Sequence, residues 1–131
     1  EISANCLLES FRDYTVGNTA GLKGVFGNVD HYMLLTDENF NQGIIGLAYV
    51  KGMCTSWSNS VIQSTSNSVV YTAYICAHEL GHAFGMVHDS SSGFVMQSTV
   101  SFRNIPRDFS STSRAEIDTF MNTVSLSCLA N

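Results

Sequence analysis

Three of the chain's four histidines fall in one eleven-residue window, His78-Glu79-Leu80-Gly81-His82-Ala83-Phe84-Gly85-Met86-Val87-His88, with Asp89 next. On a helix, His78 and His82 stand four residues apart, so their rings project from one face, a single turn apart. Two imidazoles in that relation can hold one zinc ion. Gly85 lets the chain leave the helix through a positive φ, which a Cβ would resist, and brings His88 round as a third ligand. Three neutral imidazoles leave zinc's fourth position to water, whose pKa falls to about 7 in such a site. Glu79, beside the first ligand, reaches that water without joining the metal's shell. Its expected work is that of a general base that later passes the proton to a leaving amine. The bland alternative is surface histidines with an incidental glutamate, and the glycine and third histidine at these offsets weigh heavily against it. A purely structural zinc site needs a fourth protein ligand. The one remaining histidine, His31, reads as an ordinary surface or strand residue.

Met96 lies eight residues past His88, in Gly93-Phe94-Val95-Met96. It is either a flexible core filler or, after this motif, part of a turn that sets a Met side chain beneath the metal site. Asp89 suits an ordinary turn.

These residues need a helix to carry them and further elements to face it. Polar residues Ser64 to Ser68 offer an N-cap for a helix from about Val69 to Phe84, and Gly85 stops it. Ahead of it, Tyr32 to Thr36, Ile44 to Val50 (interrupted by Gly46) and Val61 to Thr65 read as strands, with a polar turn from Asp37 to Gly43. Asn5 to Tyr14 reads as a short helix with Leu7, Leu8, Phe11 and Tyr14 on one side. Thr15 to Asn28 holds four glycines and reads as loop. Ser90 to Arg107 has no helical period. Ser113 and Glu116 form a capping-box pattern ahead of a last helix ending near Ser125. Helices and strands without regular alternation predict an α+β domain.

The chain has 131 residues, 44% of them hydrophobic and 13% charged, with 6 Lys+Arg against 11 Asp+Glu for a net charge of −5. That suits one folded unit, residues 1–131, rather than disorder. The acidic balance and lack of a basic run argue against nucleic acid, and no apolar stretch is long enough to enter a membrane. Cys6, Cys54, Cys76 and Cys128 follow no C-x-x-C spacing, and an even count is compatible with disulfides and an oxidising compartment.

The extended histidine motif with a later Met resembles the metzincin zinc metalloproteases. Asp89 after the third histidine points to their adamalysin or reprolysin branch, which holds the ADAM and snake-venom metalloproteases. Gly46-Leu47-Ala48-Tyr49-Val50 with Met53-Cys54, Met33-Leu34-Leu35-Thr36 and the ending Cys128-Leu129-Ala130-Asn131 are similar to stretches of that branch. The resemblance implies a small mixed β-sheet packed on an active-site helix, then an irregular part ending in a helix. It implies zinc on His78, His82 and His88, Glu79 as base, Met96 as the Met turn and a Cys54–Cys128 disulfide. Asp30, the Cys128 carbonyl and Asn131, all oxygen donors, match part of a calcium site remote from zinc in some members of the branch, with one of that site's carboxylates missing here, and Asp30 reads equally as a solvated surface charge.

The function so implied is that of a zinc-dependent endopeptidase, secreted or on the ectodomain of a membrane-anchored precursor. An extended protein or peptide substrate would add beside Ile44, Ile45, Gly46, Leu47 and Ala48. Ser98, Thr99 and Val100 would wall the pocket for the side chain after the cut. The similarity runs from about Asp30 to Asn131 and weakly from Leu7 to Tyr14. The branch's opening strand, first long helix and second strand have no counterpart. A sheet so shortened exposes an unpaired edge, so the chain is a fragment, a shortened relative, or completed by a second chain. The competing reading is a metzincin-like binding module with weak catalysis. Cys76 stands two residues before His78 as a free thiol or a partner for Cys6.

Overall fold

The computed structural model describes residues 1–64 and 68–130. Two helices open the chain, α1 (Ala4–Gly17) and α2 (Thr19–Phe26). Strands β1 (Tyr32–Thr36), β2 (Gly46–Ala48) and β3 (Asn59–Gln63) follow, then α3 (Val69–Ala83) and α4 (Ser111–Thr123). The sheet order is β1-β3-β2, with β1 parallel and β2 antiparallel to the central β3. This is a small mixed sheet among helices, an α+β arrangement.

Side-chain alternation along β3 builds the layers. Val61 points to one face and joins Ala4, Leu8 and Phe40 under α1, whereas Ile62 points to the other and joins Tyr71, Tyr74, Ile75 and Met96 with α3. Both β3 residues are fully buried. Asn59 Nδ2 donates to Thr15 Oγ1 at 3.0 Å, tying the buried end of α1 to the sheet. A third cluster of Met53, Ala83 and Phe120 packs α4 against the end of α3.

Helix starts follow serine caps. Ser3, Ser68 and Ser110 side chains accept from the N–H groups of Cys6, Tyr71 and Ser113, three residues on in each case. The capping pattern expected at Ser113 and Glu116 therefore lies one turn too late, because Ser110 is the cap. The run Thr15 to Asn28, expected as loop, is the end of α1 and all of α2. Its glycines mark helix ends as much as interiors, and α2 buries none of its residues. Tyr14, expected on the packed side of α1, is exposed. The strand expected over Ile44 to Val50 shrinks to Gly46–Ala48, and the third strand begins earlier than expected, at Asn59. Residues 65–67, part of the expected strand and cap, lie outside the described residues, as does Asn131.

Cys54 and Cys128 form a disulfide across 74 residues of sequence. In the chain-entropy picture a loop of that length contributes about 4.5 kcal/mol of stability. Cys6 and Cys76 are both free thiols, so they do not pair with each other. His31, expected as an ordinary surface or strand residue, is instead sunk between two serines. Its Nδ1 lies 3.0 Å from Ser58 Oγ and its Nε2 2.9 Å from Ser60 Oγ.

Candidate active site

Helix α3 carries the first two histidines and ends immediately after them. Gly85 has φ +89°, its N–H donates to the His82 carbonyl at 2.9 Å, and the Met86 N–H donates to the Gly81 carbonyl at 3.0 Å. This left-handed helix ending satisfies the last carbonyls and reverses the chain. A Cβ at Gly85 would also press on Phe120 and Lys51 at 3.3 Å. The reversed chain returns His88 to the helix face.

The three rings converge. His88 Nε2 lies 3.2 Å from His78 Nε2 and 3.3 Å from His82 Nε2. The other nitrogens are occupied by carbonyls, which can only accept. His78 Nδ1–H donates to Val95 O at 2.7 Å and His82 Nδ1–H to Met86 O at 2.8 Å. Both rings are thereby held in the tautomer that points an Nε2 lone pair at the common centre. Tetrahedral zinc with bonds near 2.0–2.1 Å requires ligand nitrogens about 3.3–3.4 Å apart, which these spacings match. Burial drives the His78 pKa down to about 4 and lowers that of His82, so both rings are neutral at pH 7, as a metal requires. The triad thus fits zinc in spacing, and His78 and His82 fit it in tautomer and charge as well.

Glu79 is 4% exposed, and its burial pushes the carboxyl pKa up to about 8. Its carboxylate lies against Gly46 of β2, where an added Cβ would stand 2.5 Å from Oε1. Met96 is fully buried, and its sulfur sits where a Cβ on Gly81 would be, at 2.5 Å. The Met96 carbonyl accepts from the Asp89 N–H at 2.8 Å, and the neighbouring Val95 carbonyl is the one that orients His78. Residues 95 and 96 therefore brace the histidines from beneath.

A cleft of about 710 Å³ runs over the site. The three histidines and Glu79 line it together with Ile44, Ile45, Gly46, Leu47 and Ala48 on one side and Ser98, Thr99 and Val100 on another. Tyr71, Tyr74 and Gln97 line it too, and sequence reasoning passed over them. For the tyrosines a signal existed: seven and four residues before His78 is the same helix face. The carbonyls of Val95 and Met86 carry no side-chain signal at all. Asp30 and Cys128 border a separate cavity of about 340 Å³. Among the described residues, no second cluster of three ligand side chains gathers there.

A helix-borne pair of histidines with a glutamate between them, a third histidine from the following turn and a buried Met beneath define a metzincin-type zinc-protease domain. The sequence profile described as "Reprolysin (M12B) family zinc metalloprotease" matches residues 3–131, and the chain belongs to that family. It is 34% identical over 135 residues to the snake venom metalloproteinase trimerelysin-2 of Protobothrops flavoviridis, covering 98% of this chain and 65% of that protein. It is also 34% identical over 126 residues to "A disintegrin and metalloproteinase with thrombospondin motifs 16" of Mus musculus, covering 86% of this chain and 10% of that protein. The chain thus spans about two-thirds or less of the curated relatives it matches.

Proposed function

We propose that residues 1–131 are the catalytic domain, or a fragment of it, of an extracellular zinc endopeptidase that cuts extended protein or peptide substrates. The observation that carries this is the convergence of three imidazole Nε2 atoms in a cleft that also holds a buried glutamate. When bound there, zinc supplies Lewis acidity, making a water acidic near neutral pH and polarising the scissile carbonyl. The chain's own residues do the rest. His78, His82 and His88 fix the ion's place. Glu79, buried in the cleft beside the first ligand, would take a proton from the attacking water and hand it to the leaving amine. β2 is an edge strand, so a substrate strand would add along its outer side, beside residues 44–48. Ser98, Thr99 and Val100 wall the pocket beyond the cut.

The disulfide supports an oxidising compartment outside the cell, secreted or ectodomain. No helix of the described residues is long and apolar enough to cross a membrane, and the acidic charge disfavours nucleic acid as a partner. Oxygen donors at Asp30 and the Cys128 carbonyl would hold calcium, with Asn131 as a third. β1 is the other edge of the sheet, and a preceding segment or a second chain would supply a strand there.

The experiment is Glu79→Gln. Cleavage of casein should fall about 10²–10⁴-fold while zinc content stays at one per chain. Undiminished cleavage would reject the mechanism. A binding module without useful catalysis would retain zinc in the unaltered chain yet show neither cleavage nor affinity for a hydroxamate.

A further inference from the structure

The cavity of about 340 Å³ beside Asp30 shares no lining residue with the cleft over the histidines. Its size falls at the lower end of pockets that take an organic ligand, roughly 300–1,000 Å³. Buried Thr15, Ser58 and Asn59 line its inner end, whereas Val16, Thr19 and Thr55 at its mouth are exposed. No Lys, Arg or His lines it, and Asp30 is its one acidic residue.

Most hydroxyl hydrogens around this cavity are already committed. Thr15 Oγ1 donates to the Arg12 carbonyl at 2.9 Å, Ser58 Oγ to the Asp30 carbonyl at 2.6 Å and Thr55 Oγ1 to the Gly52 carbonyl at 2.7 Å. Thr19 Oγ1 likewise donates to the Val16 carbonyl at 2.9 Å. Of the lining hydroxyls, those of Tyr32 and Ser56 keep a hydrogen to give. Because Thr15 has spent its own, its Oγ1 accepts from Asn59 Nδ2 at 3.0 Å. That bond fixes the Asn59 amide and leaves its Oδ1 without a hydrogen-bond partner among the described residues, although Asn59 is only 2% exposed. A buried acceptor left unmet is unfavourable and calls for a donor. The half-buried Asp30 carboxylate also has no ion pair or hydrogen bond among the described residues.

The side chains therefore offer lone pairs far more than hydrogens, together with one negative charge. An anion would find no cation here. A primary ammonium brings three donors, one positive charge and no acceptor of its own. Val16, Val29 and the Cys54–Cys128 disulfide border the same space and give apolar surface to a methylene stem. We propose that this cavity binds a lysine side chain of a partner polypeptide, its ammonium set against the Asp30 carboxylate and Asn59 Oδ1. One carboxylate balances one charge, which suits a lysine better than a free diamine, whose second ammonium would meet no opposite charge. A calcium ion at Asp30 would draw on the same carboxylate, so the two exclude each other. The site stands independently of the endopeptidase reading.

The test titrates isotope-labelled, zinc-loaded protein in calcium-depleted buffer and follows the backbone amides of Val16, Val29 and Asn59 by NMR. The probes are Nα-acetyl-lysine methylamide, its uncharged norleucine counterpart and cadaverine. The lysine probe should shift these amides saturably. The norleucine probe should bind about tenfold more weakly or worse, the scale of a hydrogen bond to a charged group. Cadaverine should bind no more tightly than the lysine probe. Asp30→Asn and Asn59→Leu should each weaken the lysine probe by about tenfold. Asp30→Asn, nearly isosteric at a half-buried position, keeps the question decidable if the Asn59 variant does not fold. Equal binding of the lysine and norleucine probes, the absence of a saturable shift, or an unchanged affinity in folded Asp30→Asn protein overturns the site. Cadaverine binding tenfold more tightly than the lysine probe overturns the polypeptide as the source and makes a free diamine the occupant.

Discussion

Gly46 is the position where the edge strand touches the proposed base, and substituting alanine there tests how tightly the two are fitted. A Cβ built on Gly46 stands 2.5 Å from Glu79 Oε1, 2.7 Å from Ile75 Cγ2 and 2.8 Å from Glu79 Cγ. Comfortable contact is about 3.5–4.0 Å, so each atom is roughly 1 Å too near. Neither neighbour has room to yield, since Ile75 is 1% and Glu79 4% exposed. Gly46 is itself registered against Ile62 of the buried central strand. Either β2 backs away from α3 or the Glu79 carboxylate turns. Alanine gains about 0.5–1 kcal/mol over glycine in backbone entropy, and overpacking costs about 1–3 kcal/mol. The net expectation is a loss of about 1–2 kcal/mol, a fall in Tm of roughly 3–10 °C. Catalysis should suffer more, because a 1 Å displacement of a reacting group costs on the order of 10²-fold. Thermal melts followed by circular dichroism give the first quantity and kcat/KM on a quenched peptide the second, both at full zinc occupancy. A Gly46→Ala protein with kcat/KM within threefold and an unmoved Tm would refute the claim that β2 and Glu79 are in tight contact.

Acid should act on His31. Ser58 Oγ donates to the Asp30 carbonyl at 2.6 Å, so it accepts from His31 Nδ1–H, and Nε2 accepts from Ser60. The ring is neutral, and burial lowers its pKa from 6.5 to about 4. The unfolded ring takes its proton near pH 6.5 and the folded ring only near 4, so this contribution to stability is intact above pH 6.5 and is lost as pH falls to 4. The loss amounts to about 3 kcal/mol at most. His31→Gln should flatten that part of the acid limb in urea melts at equal zinc load, and parallel curves for the two proteins would count against it. Calcium at 10 mM, if its affinity is that of extracellular modules, should stabilise by roughly 1.4–2.7 kcal/mol. Asp30→Asn should remove the gain in Tm without touching zinc content, and a Tm indifferent to calcium in the unaltered protein would dismiss that site.

What could be read from the sequence was what local chemistry decides. α3 is legible because Ser68 caps it, Gly85 ends it and the histidines occur at one-turn spacing between. β1 is legible as an uninterrupted run from Tyr32 to Thr36. The short β2 is not, because its length is set by how far the chain runs beside β3 before Tyr49 and Val50 turn to the end of α3, where the Lys51 N–H donates to the His82 carbonyl. Nor is α2, whose glycines argue for loop on propensity alone. The structure keeps it helical through local hydrogen bonds such as Leu22 N–H to Asn18 O, with no buried face to announce it.

The Ser113 and Glu116 pair shows why the remainder of the site escaped. Three residues apart on α4, they satisfy a local pattern, yet their partners are distant in sequence. Ser110 Oγ donates to Asp89 Oδ1 at 2.6 Å and Ser113 Oγ to Asp89 Oδ2 at 3.2 Å, while Glu116 Oε2 accepts from the Val87 N–H at 3.1 Å. The residues on either side of His88 are thus fastened to one helix that supplies no ligand. A local rule assigns a serine and a glutamate to their own backbone because that partner is always near. Here the competition is won by a loop that Gly85 turns toward α4 and that Phe120, packed with Ala83, holds there. The placement of the third histidine therefore depends on packing between the end of α3 and α4, a contact that no window of sequence around His88 contains.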